Sequence, residues 1–167
     1  MRKPMQKKFK TVGVGGTFDE FHKGHRALLM KAFEVGEHVM IGMSSDEFVK
    51  RLNKPHKTAS YTQRLRELRE FLDEHGLPEG AEIIPIDDPS GGVLLSKGPI
   101  EALIVSKETE PTALEINEKR KEIGLAPLQI VVIDMVPSEN HFAISTTRIH
   151  KGEIDREGRL LKSKEND

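Results

Sequence analysis

Short apolar runs rich in branched side chains alternate along the chain with stretches whose apolar residues recur every three to four positions. Runs of the first kind suit strands buried on both faces, and stretches of the second kind suit helices with one apolar side. Five strands are expected, over residues 9–14, 38–43, 82–86, 102–106 and 129–135, each bounded by glycine, proline or charged residues. Between them, Leu28, Leu29, Ala32 and Phe33 fall on one helical face. Leu65, Leu68, Phe71 and Leu72 fall on another, and Ala113, Ile116, Arg120 and Ile123 define a weaker third. Gly36, Gly76 and Gly124 follow these stretches, where a left-handed residue commonly ends a helix. Strand and helix in alternation predict an α/β fold with a mostly parallel sheet.

A length of 167 residues suits one domain with a single hydrophobic core. The domain is expected over residues 1–167, with its core at about 9–150 and a charged, peripheral tail over 151–167. No repeat or long linker divides the chain, although residues 87–99, with Gly91, Gly92, Gly98 and Pro99, read as a turn-rich loop. The 26 basic and 27 acidic side chains leave a formal charge of −1, a balance unlike that of a polyanion binder, so nucleic acid is not expected as a main partner. The absence of cysteine removes disulfides, thiolate zinc sites and thiol nucleophiles, and fits a reducing interior. Residues 1–8 are basic without the apolar stretch of a signal peptide, and no apolar run is long enough to span a bilayer. A cytoplasmic protein that does not enter membranes is expected.

The chemistry concentrates in Gly15-Gly16-Thr17-Phe18-Asp19-Glu20-Phe21-His22-Lys23-Gly24-His25, between the first strand and the first helix. In an open parallel sheet, ligands sit beyond the carboxyl ends of the strands, and the first βα turn usually lines that crevice. Two glycines allow backbone amides to approach an anion, and the following helix turns its positive end toward it. The turn therefore reads as a phosphate site. It lacks the Gly-Lys-Ser/Thr ending of a Walker loop and the three spaced glycines of a dinucleotide fingerprint. His22 and His25 lie three apart at the helix start, so both imidazoles can face one anion as charged or N–H-donating groups. A histidine at such a place can instead cap the helix or pack locally, and a metal site would need at least one further ligand. Ser106-Lys107-Glu108-Thr109 follows the fourth strand. Ile144-Ser145-Thr146-Thr147-Arg148-Ile149 follows the fifth and reads as the start of a further helix, where hydroxyls either cap the helix or hold an anion.

These segments together resemble the nucleotidyltransferase α/β-phosphodiesterase superfamily, whose signatures join Gly-Thr-Phe-Asp to His-x-Gly-His and place Ile-Ser-Ser-Thr before an arginine. The resemblance implies a single doubly wound, Rossmann-like domain whose five-stranded parallel sheet has the order 3-2-1-4-5. It implies ATP phosphates over Gly15, Gly16, Thr17 and Phe18, with His22 and His25 stabilising charge on the α-phosphate and Thr17 touching that phosphate or the acceptor's. Lys107 would supply a mobile charge, Asn117 and Arg120 would border the nucleotide, and Ser145, Thr146, Thr147 and Arg148 would hold the β- and γ-phosphates. Thr146 replaces the usual second serine, and His150 stands where related sequences often carry a second arginine. Tyr61-Thr62-Gln63-Arg64, Ile84-Pro85-Ile86-Asp87-Asp88-Pro89, Ile104-Val105-Ser106-Lys107-Glu108-Thr109 and Ile116-Asn117 resemble the phosphopantetheine adenylyltransferases of archaea and the matching domain of eukaryotic coenzyme A synthase. That resemblance runs from Val12 to Gly158 and implies ATP and 4′-phosphopantetheine as substrates; Asp87, in the loop that follows the third strand at the same sheet end, either bonds the acceptor arm or belongs to a plain connection. Mg²⁺ would be held mainly through the ATP phosphates, with no side chain assigned as its ligand. Archaeal flavin-adenine dinucleotide synthases share the first motif, and a nucleotide-binding regulator without turnover would use the same crevice, although it need not keep both histidines. Oligomeric state is left open, because the helical faces of βαβ domains meet either solvent or another subunit.

Overall fold

The computed structural model describes residues 7–52, 57–87, 98–134, 136–139, 142 and 144–161. Its sheet is built from β1 (Phe9–Gly16), β2 (Gly36–Ser44), β3 (Ala81–Ile86), β4 (Ala102–Val105) and β5 (Gln129–Val132). All pairings are parallel, in the order β3-β2-β1-β4-β5. The helices are α1 (Lys23–Val35), α2 (Asp46–Arg51), α3 (Tyr61–Glu74), α4 (Glu110–Glu122) and α5 (Thr146–His150). Val12, Val14, Val39, Ile41, Met43, Ala102 and Ile104 join Leu29, Ala32 and Phe33 of α1 and Leu68, Phe71 and Leu72 of α3 in one apolar cluster. Leu103 and Val105 point the other way and meet Ala113 and Ile116 of α4 with Leu128. The period of two in β4 thus places α1 and α3 on one face of the sheet and α4 on the other. Among the described residues no helix is long and apolar enough to cross a membrane.

The expected five-stranded order is present, and several boundaries differ. β1 continues through Gly15 and Gly16, which pair with Gly42 and Met43, so the glycines end the strand instead of forming the turn. β4 and β5 stop at Val105 and Val132, shorter than expected, and residue 135 lies outside the described residues. Gly76 and Gly124 do adopt left-handed backbone at φ 64° and 80°. Gly36 does not. It is extended, with φ −117°, and opens β2 directly after α1. What demands glycine there is space, because a Cβ would lie 2.7 Å from Cγ2 of the fully buried Val12. α2 was not legible, since none of its residues is buried and it therefore leaves no apolar period. Of the expected loop over 87–99, residues 88–97 lie outside the described residues.

Residues 151–161 depart from the expected peripheral tail. Ile154 is fully buried and forms an antiparallel bridge with Leu160, and the segment folds back against α1 and against residues 138–139.

Candidate active site

The sheet itself opens the site. β1 pairs with β4 only at Val12↔Ala102 and Gly13↔Leu103, so the ladder between these central strands ends three residues before β1 does. Beyond it, at the point where strand order reverses, lies a cavity of about 600 Å³. Gly15 and Gly16 form one edge, with Thr17, Phe18 and Asp19 following, and Ser106, Lys107, Glu108 and Thr109 form the facing edge. His22, Gly24, His25 and Leu28 line it from α1, while Ser145, Thr146 and Thr147 close the end nearest α5. Ile133, Asp134, Val136 and Ile144 complete the wall beyond β5.

The start of α1 is organised by the two histidines on each other. His22 is the N-cap, and its Nδ1 accepts the backbone N–H groups of Gly24 at 3.0 Å and His25 at 3.3 Å. His25 reciprocates, its Nδ1 accepting the His22 N–H at 3.2 Å, so the pair forms a capping box with imidazoles in place of the usual hydroxyl and carboxyl groups. The rings stack with centroids 3.6 Å apart. A Cβ on Gly24 would lie 2.8 Å from Cε1 of His22, which is why glycine separates the histidines. An acceptor Nδ1 leaves Nε2 as the ring donor on both residues. Burial, followed by the positive charges of Arg26 and Arg156, lowers the His22 pKa from 6.5 to about 4. Of the charged and N–H-donating alternatives, this favours the second for His22, an uncharged imidazole at neutral pH whose Nδ1 is engaged in capping.

The turn before α1 is strained and tightly held. Phe18 and Glu20 are left-handed at φ 55° and 48°, a conformation that costs a non-glycine residue about 1–3 kcal/mol and persists only where neighbours enforce it. Phe18 is 1% exposed and meets the His25 ring edge-on at 5.3 Å. Asp19 is buried, accepts the Ala59 N–H on Oδ1 at 3.1 Å, and lies 2.9 Å through Oδ2 from Nε2 of His150. Its carbonyl accepts the Thr146 hydroxyl at 3.1 Å. His150 thus ties α5 to the first turn.

Beneath the turn lies Arg64, whose guanidinium is fully buried. It donates to the carbonyls of Ala59 at 2.8 Å, Thr17 at 3.0 Å and Ser44 at 2.7 Å, and to Oδ1 of Asp46 at 3.1 Å. One cation therefore joins α3 to the carboxyl ends of β1 and β2. Asp19 and Arg64 both lie in segments that carry the resemblance, yet the sequence assigns neither a role, because nothing local marks a charged side chain as buried.

The remaining expected residues divide. Thr17, Lys107, Ser145, Thr146 and Thr147 line the cavity together with both histidines. Lys107 is exposed at the tip of the turn after β4, which Thr109 closes by accepting the Ser106 N–H on its hydroxyl at 3.1 Å. Arg148 follows the wall, yet its guanidinium is held by Glu153 at 3.0 Å and by the Ser138 hydroxyl at 2.9 Å. Asn117 and Arg120 are not brought to the cavity. Asn117 exchanges two hydrogen bonds with the Leu128 backbone, at 2.9 and 2.8 Å, and buried Arg120 donates to the Ala126 carbonyl at 2.8 Å. Both secure the return from α4 to the amino end of β5, away from the carboxyl ends where the cavity opens. Asp87 is exposed just after β3 and does not line the cavity. Among the described residues no group of three or more His, Asp or Glu side chains has a metal-holding arrangement.

Residues 14–152 match the family model described as cytidylyltransferase-like. The phosphopantetheine adenylyltransferase of Methanothermobacter thermautotrophicus is 44% identical over 158 residues, covering 95% of this chain and 93% of its own. That of Pyrococcus horikoshii is 45% identical over 156 residues, covering 93% and 98% respectively. A crystal structure of a protein of unknown function from Archaeoglobus fulgidus superposes with a TM-score of 0.66 at 30% identity, covering 82% of this chain and all of that one.

Proposed function

The chain belongs to the cytidylyltransferase-like family, with archaeal phosphopantetheine adenylyltransferases as relatives, and from that premise we propose that it transfers the AMP part of ATP to 4′-phosphopantetheine. The products are dephospho-coenzyme A and pyrophosphate. The observation that carries the reading is the convergence of the His22–His25 helix start, the glycine strand end, Lys107 and three consecutive hydroxyls on one cavity at the switch point.

A phosphate monoester has a second pKa of about 6, so the acceptor is already largely a dianion at neutral pH. Its oxygen attacks the α-phosphorus, the bond to the bridging oxygen of the β-phosphate breaks, and pyrophosphate leaves. No general base is needed, and catalysis reduces to positioning and charge stabilisation. In this reading the Nε2–H of His25 donates to the α-phosphoryl oxygen as charge builds there. His22 sets the His25 ring by stacking and capping, and presents its own Nε2–H. Lys107 balances phosphate charge. Ser145, Thr146 and Thr147 hold the departing β- and γ-phosphates, and Arg148 joins them only by leaving Glu153 and Ser138. Thr17 meets the phosphates at the mouth of β1, and Asp87 stands at the β3 end toward which the acceptor arm would extend. Mg²⁺ enters as part of the ATP substrate, in keeping with an ion that dehydrates reluctantly and binds largely through phosphates and water.

Pyrophosphate release from MgATP tests this reading when 4′-phosphopantetheine is offered beside flavin mononucleotide, nicotinamide mononucleotide and glycerol 3-phosphate. Release with phosphopantetheine alone is expected. Release with a different acceptor alone would keep the mechanism and replace the substrate.

A further inference from the structure

Residues 152–161 form a strap that contacts the start of α1 on one side of the cavity and residues 138–139 on the other without lining it. On the α1 side, the Arg156 carbonyl accepts the N–H of Lys23, the first residue of the helix, at 2.8 Å. That carbonyl occupies a donor which the His22–His25 capping box leaves unmet. The Arg156 guanidinium donates to Glu20 at 3.0 Å and to Glu67 of α3 at 3.0 Å, and Glu157 pairs with Arg26. On the opposite side, the Gly158 carbonyl accepts the Glu139 N–H at 2.7 Å, and the Leu160 N–H reaches the Glu139 carboxylate at 2.7 Å. Glu153 holds Arg148 from below α5. Ile154, 0% exposed, anchors the strap.

Glu20 is the second of the two left-handed residues in the turn that delivers His22 and His25. Its backbone conformation has to be enforced from outside, and its carboxylate contacts are Arg156 and the more distant His150 at 3.9 Å. Arg156 therefore grips the strained turn by its side chain and the start of α1 by its carbonyl. We propose that Arg156 is a positioning residue for adenylyl transfer, holding the two histidines in register with the Ser145, Thr146 and Thr147 wall through Glu20 and the Lys23 N–H. Arg156 does not line the cavity, so its effect falls on turnover and not on capture of ATP.

The inference rests on the transferase reading, and its test separates the two. In Arg156→Ala, kcat with MgATP and 4′-phosphopantetheine is expected to fall about 10–100-fold, the scale set by small misplacement of reacting groups, with KM for ATP within about threefold. Glu20→Gln is expected to give a similar loss, and the double variant no more than the larger single loss, because both break one link. Arg156→Lys, which keeps the charge, is expected to recover at least half of the lost activity on a logarithmic scale. Hydrogen exchange at the Lys23 amide is expected to quicken about tenfold in Arg156→Ala. A fall of less than fivefold in kcat, losses that multiply in the double variant, or unchanged Lys23 exchange overturns the proposal. If Arg156→Ala does not fold, Glu20→Gln and Arg156→Lys carry the same comparison. If the unaltered chain gives no turnover with phosphopantetheine, the transferase reading fails. Lys23 exchange then decides the strap by itself, tenfold faster exchange supporting the positioning role and unchanged exchange ending it.

Discussion

At the scale of single residues, the two histidines differ more than their shared motif suggests. His25 is half-buried and lines the cavity, with Nδ1 committed to the His22 N–H. Removing one preorganised donor to a developing oxyanion typically lowers turnover by about 10²–10³-fold. His25→Ala is expected to do so while leaving ATP affinity within about tenfold, and steady-state kinetics beside ATP titration check both. His22 acts on stability as well. The folded chain protonates it only near pH 4, while the unfolded chain binds that proton near 6.5. Between those values the unfolded state holds more protons, so stability falls as pH drops from 6.5 toward 4 and gains no further loss from His22 below that. The full transit amounts to about 3 kcal/mol. His22→Asn keeps a capping acceptor without a titrating ring, and its urea midpoint is expected to fall less steeply across that window. Equal slopes in the two proteins would contradict the assignment. The spacing of His22, Gly24 and His25 was legible as an anion-binding turn, and capping was legible as an alternative. That both imidazoles cap each other depends on ring directions that a spacing cannot carry.

Among the elements, what the sequence conveyed best was what apolar periodicity encodes directly. The faces of α1, α3 and α4 bury Leu29 and Phe33, Leu68 and Phe71, and Ala113 and Ile116, as their spacing implied. Boundaries shifted where an end is set by pairing, as at Gly15 and Gly16, whose place in β1 follows from the β2 ladder. α2 shows the opposite limit, an amphipathic signal absent because nothing in it is buried. The joints between elements were least legible, and Arg64 is the chief example. Replacing it with Met would strip donors from the carbonyls of Thr17, Ser44 and Ala59 in a buried setting. The expected loss is about 3 kcal/mol or more by chemical denaturation. Asp46 is half-exposed, and Asp46→Asn is expected to cost under about 1 kcal/mol. Equal losses would mean that the ion pair, and not the three carbonyls, gives Arg64 its role. Asn117 and Arg120 carry the complementary lesson: polar residues one turn apart on a helix after β4 resembled a nucleotide border, and the fold uses them to return the chain to β5.

At the scale of the whole molecule, one topological fact generates the site. The order β3-β2-β1-β4-β5 reverses direction between β1 and β4, with α1 and α3 on one face and α4 on the other, and the short ladder between β1 and β4 leaves the carboxyl ends of the central strands apart. Into that opening the chain brings four segments from distant parts of the sequence, and the strap of residues 152–161 fastens two of them. Strand order came to the sequence reading through resemblance, since apolar patterning fixes which segments are strands and not which are neighbours. The near-neutral balance of 26 basic and 27 acidic side chains suits a small anionic substrate drawn to a local cluster of donors. Adenylyl transfer is decided by where the α-phosphate of ATP goes. The direct measurement incubates the protein with MgATP labelled at the α-phosphate and 4′-phosphopantetheine, then separates the products. Label in dephospho-coenzyme A, matched one for one by released pyrophosphate, is the predicted result. Label that stays in ATP, or appears only as free AMP, would contradict adenylyl transfer to this acceptor.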